Sequence, residues 1–129
     1  MRLVRLQVPH RGLARAVTEH LAADPAAVCA RLAEVGRLAR EVLADVAGWT
    51  VAGEQDEPCA ITSLRPDADR DVAAVRARLL AEHGVLTTAC TPARAPRELT
   101  GALLRVSPHV DVTREQLERL RSALLAVAE

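Results

Sequence analysis

The chain is predicted to fold as a two-layer α+β sandwich, with helices on one face of a small, largely antiparallel four-stranded sheet. Three observations carry this. Four short stretches read as strands, four longer ones repeat apolar residues three and four apart, and capping or turn residues separate them. A chain of 129 residues and 13.8 kDa fits one domain with a real core. With no Phe or Tyr and one tryptophan, Trp49, that core must be built from Leu, Val and Ala.

Residues 1–12, MRLVRLQVPHRG, have no clean period and contain Pro9 and Gly12, so they are expected to form an N-terminal arm before a single domain over 13–129. Leu13, Val17 and Leu21 fall four apart and predict a short amphipathic helix. Asp24 before Pro25 is a helix cap with proline at the first helical position. The long helix that follows carries the stripe Val28, Leu32, Val35, Ala39, Val42 and Val46, and Gly48 is expected to stop it. Arg37 and Glu41 form a supporting pair on another face.

Two strands are expected next, at Trp49–Gly53 and Cys59–Arg65, joined by the polar loop EQDEP, which implies an antiparallel connection. Pro66 and the acids Asp67, Asp69 and Asp71 turn the chain into a helix with the stripe Val72, Val75 and Leu79, closed by His83 and Gly84. A third strand, Val85–Thr91, leads through the loop TPARAP to a fourth. In ALLRVS, from Ala102, the residues Ala102, Leu104 and Val106 share one face, and Leu103, Arg105 and Ser107 the other. Pro108 ends this strand, and Thr113 with Gln116 forms a capping box for a last helix bearing Leu117, Leu120, Leu124 and Val127.

Composition excludes several function classes. Seventeen arginines balance seventeen acids, so nothing points to nucleic acid or an anionic membrane as partner. No apolar run suits a signal peptide or membrane span, and a cytoplasmic protein is expected. Cys29, Cys59 and Cys90 include no CxxC pair, so neither a disulfide framework nor a zinc site is indicated; they read as buried thiols of a reducing compartment. All seventeen basic residues are arginine. A chain without lysine can neither form a Schiff base through a side chain nor use lysine as a base.

Arg105 is the residue most suggestive of function. A guanidinium held mid-strand between apolar neighbours is costly to desolvate unless an anion meets it, and its planar fork suits a carboxylate or phosphate. Something acidic should therefore sit opposite it: a ligand, or a structural partner such as Asp111. Arg94, in the loop before this strand, either faces substrate or cofactor phosphate or is simply solvated. His109, after the strand-ending proline, is either an acid–base group or a surface or capping histidine. Cys90 lacks a nearby base in sequence and reads as a core thiol rather than a nucleophile.

From about Leu32 onward, the series RLAEVGRLAREVLADVAGW, AITSLRP, EHGVLTTACTPARAP and LLRVSPHVDVTREQLERL resembles the C-terminal small domain of class V aminotransferase-like, fold-type I pyridoxal phosphate enzymes. Within that superfamily it is most similar to the ergothioneine-biosynthesis carbon–sulfur lyase, through VLTTACTPARAP combined with LLRVSPHVD. Cysteine desulfurase relatives carry a cysteine shortly before the proline matching Pro96; Ala93 stands there in this chain, which favours the lyase.

The resemblance implies that Arg105 holds the substrate's α-carboxylate; Arg94 and His109, from their places beside this strand, are further substrate-binding candidates. It also implies a homodimer with active sites between domains, and a large domain, in the same or a separate chain, that supplies the cofactor lysine. This chain, without lysine, is expected to take up no pyridoxal phosphate and to catalyse nothing alone. The competing expectation is a non-catalytic α+β module that binds a small carboxylate or a protein through its uncovered sheet face.

Overall fold

A computed structural model describes residues 10–127, and most of its element boundaries fall where local capping chemistry puts them. Helix α1 (His10–Ala22) begins three residues before the predicted boundary; the rest of the expected arm lies outside the described residues. Asp24 then turns the chain in the left-handed region, at φ 55°, which a short polar side chain tolerates. Its carboxylate accepts from the amides of Ala26 and Ala27, starting α2 (Pro25–Leu43). The helix ends five residues before Gly48, and turns at Ala44–Gly48 carry Val46 into the core.

Four strands follow, β1 (Trp49–Ala52), β2 (Thr62–Pro66), β3 (Thr88–Cys90) and β4 (Leu103–Val106), in the spatial order β1-β2-β4-β3 with every neighbour antiparallel. All four are shorter than the sequence predicts, β1 and β4 only by end residues and β2 and β3 by more. Residues Cys59–Ile61 stay outside β2, because Cys59 lies against α2, where its carbonyl accepts from Arg40. Residues Val85–Thr87 stay outside β3, because this stretch is tied to α3 (Val72–His83): the Val85 amide donates to the Leu79 carbonyl and Arg76 Nε to the Thr87 carbonyl. Asp71 opens α3 by accepting from the amides of Ala73 and Ala74. Gly84, at φ 65°, closes it, its N–H and that of Val85 returning to the carbonyls of Leu80 and Leu79. Since β2 and β3 run the same way, α3 crosses between them and leaves a slot that β4 fills.

A short 3₁₀ turn (Pro92–Arg94) lies in the loop before β4. The last helix, α4 (Arg114–Val127), starts with the capping box: Gln116 N–H donates to Thr113 Oγ1, and Thr113 N–H to Gln116 Oε1 at 2.9 Å. Its apolar stripe, Leu117, Leu120, Leu124 and Val127, is buried throughout. Leu120, Leu124 and Val127 meet Leu64, Leu104 and Val106 of the sheet and Leu43, Val75 and Leu79 of the other helices, while Leu117 packs on Ala39 and Val42 of α2, so the core is aliphatic apart from Trp49. The helices cover one sheet face and leave the other open, which is the predicted two-layer α+β sandwich.

Long arginines tie the loops to this frame. Arg40, 2% exposed, donates to the carbonyls of Gln55, Glu57 and Cys59; Arg31 donates to those of Val110 and Val112. Arg70 lies over the buried Trp49 ring, 5.5 Å from its centroid. The cysteines depart from expectation. Cys29 is exposed, on the part of α2 that precedes its core contacts, while Cys59 in a loop and Cys90 on the open sheet face are only half-buried. Among the described residues no helix is long and apolar enough to cross a membrane.

Candidate functional site

The open face of the sheet is set by strand parity. Leu104 and Val106 turn into the core, so Leu103 and Arg105 turn outward. Pairing then aligns a row across all four strands: Ala52 opposite Ser63, Ser63 opposite Arg105, and Arg105 opposite Thr88. The guanidinium of Arg105 thus rises between two hydroxyl-bearing residues, whose Cβ atoms in such a ladder stand about 5 Å away. The expected acid is not there. Among the described residues Arg105 makes no ion pair, and its Nε is buried without a hydrogen-bond partner.

The proposed structural partner, Asp111, is engaged elsewhere. Its Oδ1 lies 2.8 Å from Nδ1 of His109, and both side chains are exposed. The hydrogen bond from His109, then Asp111's own backbone amide and the histidine's charge, hold the Asp111 carboxyl below its ordinary range. Among the described residues no acid therefore meets the Arg105 guanidinium.

The structure does not gather the other two predicted residues around Arg105. Arg94 is exposed in the 3₁₀ turn after β3, at the end of the sheet where β4 begins, since Cys90 pairs with Leu103. His109 follows the opposite end of β4 and lines an apolar cavity of about 190 Å³ with Pro108, Thr87 and Leu117. Ser63 and Thr88, by contrast, stand beside Arg105, although from sequence Thr88 reads as an ordinary strand residue unless a loop folds over a ligand, and Ser63 only as part of a strand's alternation. The alternation of β2 and β3 puts each on an outward face, but only the strand register puts them next to Arg105.

No family model matches the chain. A curated protein of Mycobacterium tuberculosis, the "Probable hercynylcysteine sulfoxide lyase", is 51% identical over 115 residues, which are 89% of this chain and 29% of that protein. The chain is similar to the C-terminal part of that lyase. It therefore spans less than a third of the curated relative it matches. A solved structure described as a decarboxylase from Sulfurospirillum multivorans shares the fold, with TM-score 0.59 at 18% identity over 74% of this chain and 25% of its own.

Proposed function

We propose that this chain is the C-terminal small-domain portion of a pyridoxal phosphate-dependent carbon–sulfur lyase, in which Arg105 holds a substrate carboxylate. The observation that carries the reading is Arg105, without an ion-pair partner among the described residues and with its Nε buried and unbonded, fixed in an interior strand between Ser63 and Thr88 on an open sheet face. Similarity to part of a hercynylcysteine sulfoxide lyase supports a sulfur-containing amino acid as substrate class. Two parallel N–H donors fix both oxygens of a carboxylate and so its orientation, and neighbouring hydroxyls can satisfy its remaining lone pairs. Arg94 and His109, off opposite ends of β4, could reach the same molecule only from its two sides.

The residues present do not by themselves fit the cofactor. With no lysine in the chain there is no side-chain amine to anchor pyridoxal phosphate, so no covalent step is assigned to these residues. The anchor belongs to a large domain, in the same or another chain, which would also cover the open sheet face. A homodimer in the cytoplasm completes the reading.

A chimera tests it. The chain replaces the C-terminal 29% of the Mycobacterium tuberculosis protein, and cofactor absorbance and pyruvate release from a cysteine sulfoxide conjugate are measured. A cofactor-loaded, cleaving chimera is expected. A folded, loaded chimera that releases no pyruvate, beside an active parent, would overturn the assignment.

A further inference from the structure

The cavity beside His109 lies on the helix side of the sheet, and the way the ladder ends explains it. Pairing between β3 and β4 stops at Thr88 opposite Arg105. One step further, Thr87 and Val106 turn inward and are buried, and Pro108 has no N–H with which to extend the ladder. The opening left between residues 85–87, residues 106–109 and the first turns of α4 is this cavity of about 190 Å³. Its walls are held in place. The Val85 amide donates to the Leu79 carbonyl and Arg76 Nε to the Thr87 carbonyl, while Arg119 Nη2, from α4, donates to the His83 carbonyl at 2.8 Å. Residues 83–87 are thus tied to both helices, and the space is preformed.

Val106, Leu117 and Leu120 make the lining apolar. Among the described residues that line it, His109 alone can carry a charge, and its exposed ring is already turned to Asp111. One polar group is left unsatisfied. Thr87, a lining residue only 7% exposed, has its Oγ1 buried with no hydrogen-bond partner. An ion placed here would lose its water without gaining a buried counter-charge, and a pure hydrocarbon would leave the Thr87 hydroxyl unbonded. A neutral molecule with an apolar body and one hydroxyl meets both conditions.

We propose that the cavity binds such a molecule, about the size of one six-membered ring, with its hydroxyl on Thr87 Oγ1. An aliphatic cavity of about 150 Å³ holds benzene, so the volume suffices. The site lies across the sheet from the Arg105 guanidinium and is independent of the carboxylate reading.

The full 129-residue chain is titrated with phenol and with toluene, which are nearly equal in size, and amide shifts are followed by NMR. Phenol should shift Thr87, Ser107 and Leu117 saturably. In Thr87→Val, which keeps the shape and removes the hydroxyl, the ratio of phenol to toluene affinity should fall about threefold or more, the net contribution of one hydrogen bond. The urea midpoint of unliganded Thr87→Val should not fall, because no bond is lost. Val112→Phe, which adds a ring to the lining, should abolish binding of both probes in a chain whose dispersed spectrum shows it folded. Should that variant not fold, the Thr87→Val ratio decides alone. Phenol shifts confined to other surfaces, an unchanged ratio or a lowered midpoint in Thr87→Val, or binding undiminished by a folded Val112→Phe would each overturn the site.

Discussion

Arg40 and Cys59 are joined inside the fold: Nη1 of a guanidinium only 2% exposed donates to the Cys59 carbonyl at 3.2 Å. The same side chain gives Nε to the Gln55 carbonyl at 2.9 Å and Nη2 to the Glu57 carbonyl at 2.6 Å. A single arginine on α2 thereby takes three carbonyls of the loop between β1 and β2. Among the described residues no carboxylate pairs with it, so its charge is stabilised by peptide dipoles.

Truncating Arg40 leaves those carbonyls without donors in a buried place. Hydrogen bonds to a charged group contribute about 1.5–3 kcal/mol, and a buried acceptor left unsatisfied adds its own cost. Arg40→Ala should destabilise the chain by about 3 kcal/mol or more in urea unfolding. Arg40→Lys, which keeps the charge but not three fixed directions, should fall between the two. A loss under about 1 kcal/mol for the alanine variant would show that water reaches the loop freely.

One turn earlier on α2, Gly36 receives the same loop. A Cβ built at Gly36 would lie 1.9 Å from the Cys59 carbonyl oxygen and 2.8 Å from its carbon, both backbone atoms that cannot swing aside. In an ordinary helix interior, alanine would be favoured over glycine by about 1 kcal/mol. Here Gly36→Ala should reverse that sign and cost about 2 kcal/mol or more, as overpacking does. The midpoint of thermal unfolding by circular dichroism checks the sign.

These two residues also mark where sequence reading stops. Asp24-Pro25, Asp71, Gly84 and the Thr113–Gln116 box act on amides or carbonyls within a few residues of themselves, so the elements they bound were legible. The stripe of α4 and the outward face of β4 follow from fixed periods, and Arg105 was found that way. Arg40 depends on carbonyls 15 to 19 residues away, and Ser63 and Thr88 on a register decided by the whole sheet. A signal was present in Gly36 and Arg40, four apart on the flank of an apolar stripe, since a mid-helix glycine invites a close backbone approach. The buried-thiol reading failed because it rested on residue type alone, and parity places Cys90 on the open face with Thr88.

Between α2 and α4 the Glu41–Arg114 pair, at 2.8 Å, gives a pH signature. The hydrogen bond from Arg114, then its charge, with Arg37 adding less, holds the Glu41 carboxyl below its ordinary range; desolvation opposes this. A depressed folded-state value means that the contribution to stability is present above the unfolded-state value and is lost as pH falls through the folded one. Carboxyl NMR should place the Glu41 midpoint below that of an unpaired glutamate, and Arg114→Gln should raise it. The pair is exposed, so salt at 0.5 M should also raise it. A midpoint unmoved by Arg114→Gln would remove the pair from the account.

The strongest expectation concerns Arg105, because its two readings separate stability from activity. If it served as a structural cation, removing it would lower stability; yet its Nε has no partner and no acid pairs with it among the described residues. Arg105→Ala should therefore leave the urea midpoint of the isolated chain nearly unchanged or slightly raised, since a half-buried charge is relieved. In the chimera the same substitution should lower kcat/KM by roughly thirtyfold or more, the consequence of losing a charge-assisted partner worth about 2–5 kcal/mol when truncated. Arg105→Lys keeps the charge without the fork and should lose less than alanine. Cofactor absorbance should persist in both, because the anchoring amine lies outside this chain. Unfolding of Arg105→Ala, or kcat/KM within about twofold of the parent, would assign Arg105 to the scaffold and leave the open face without its anion site.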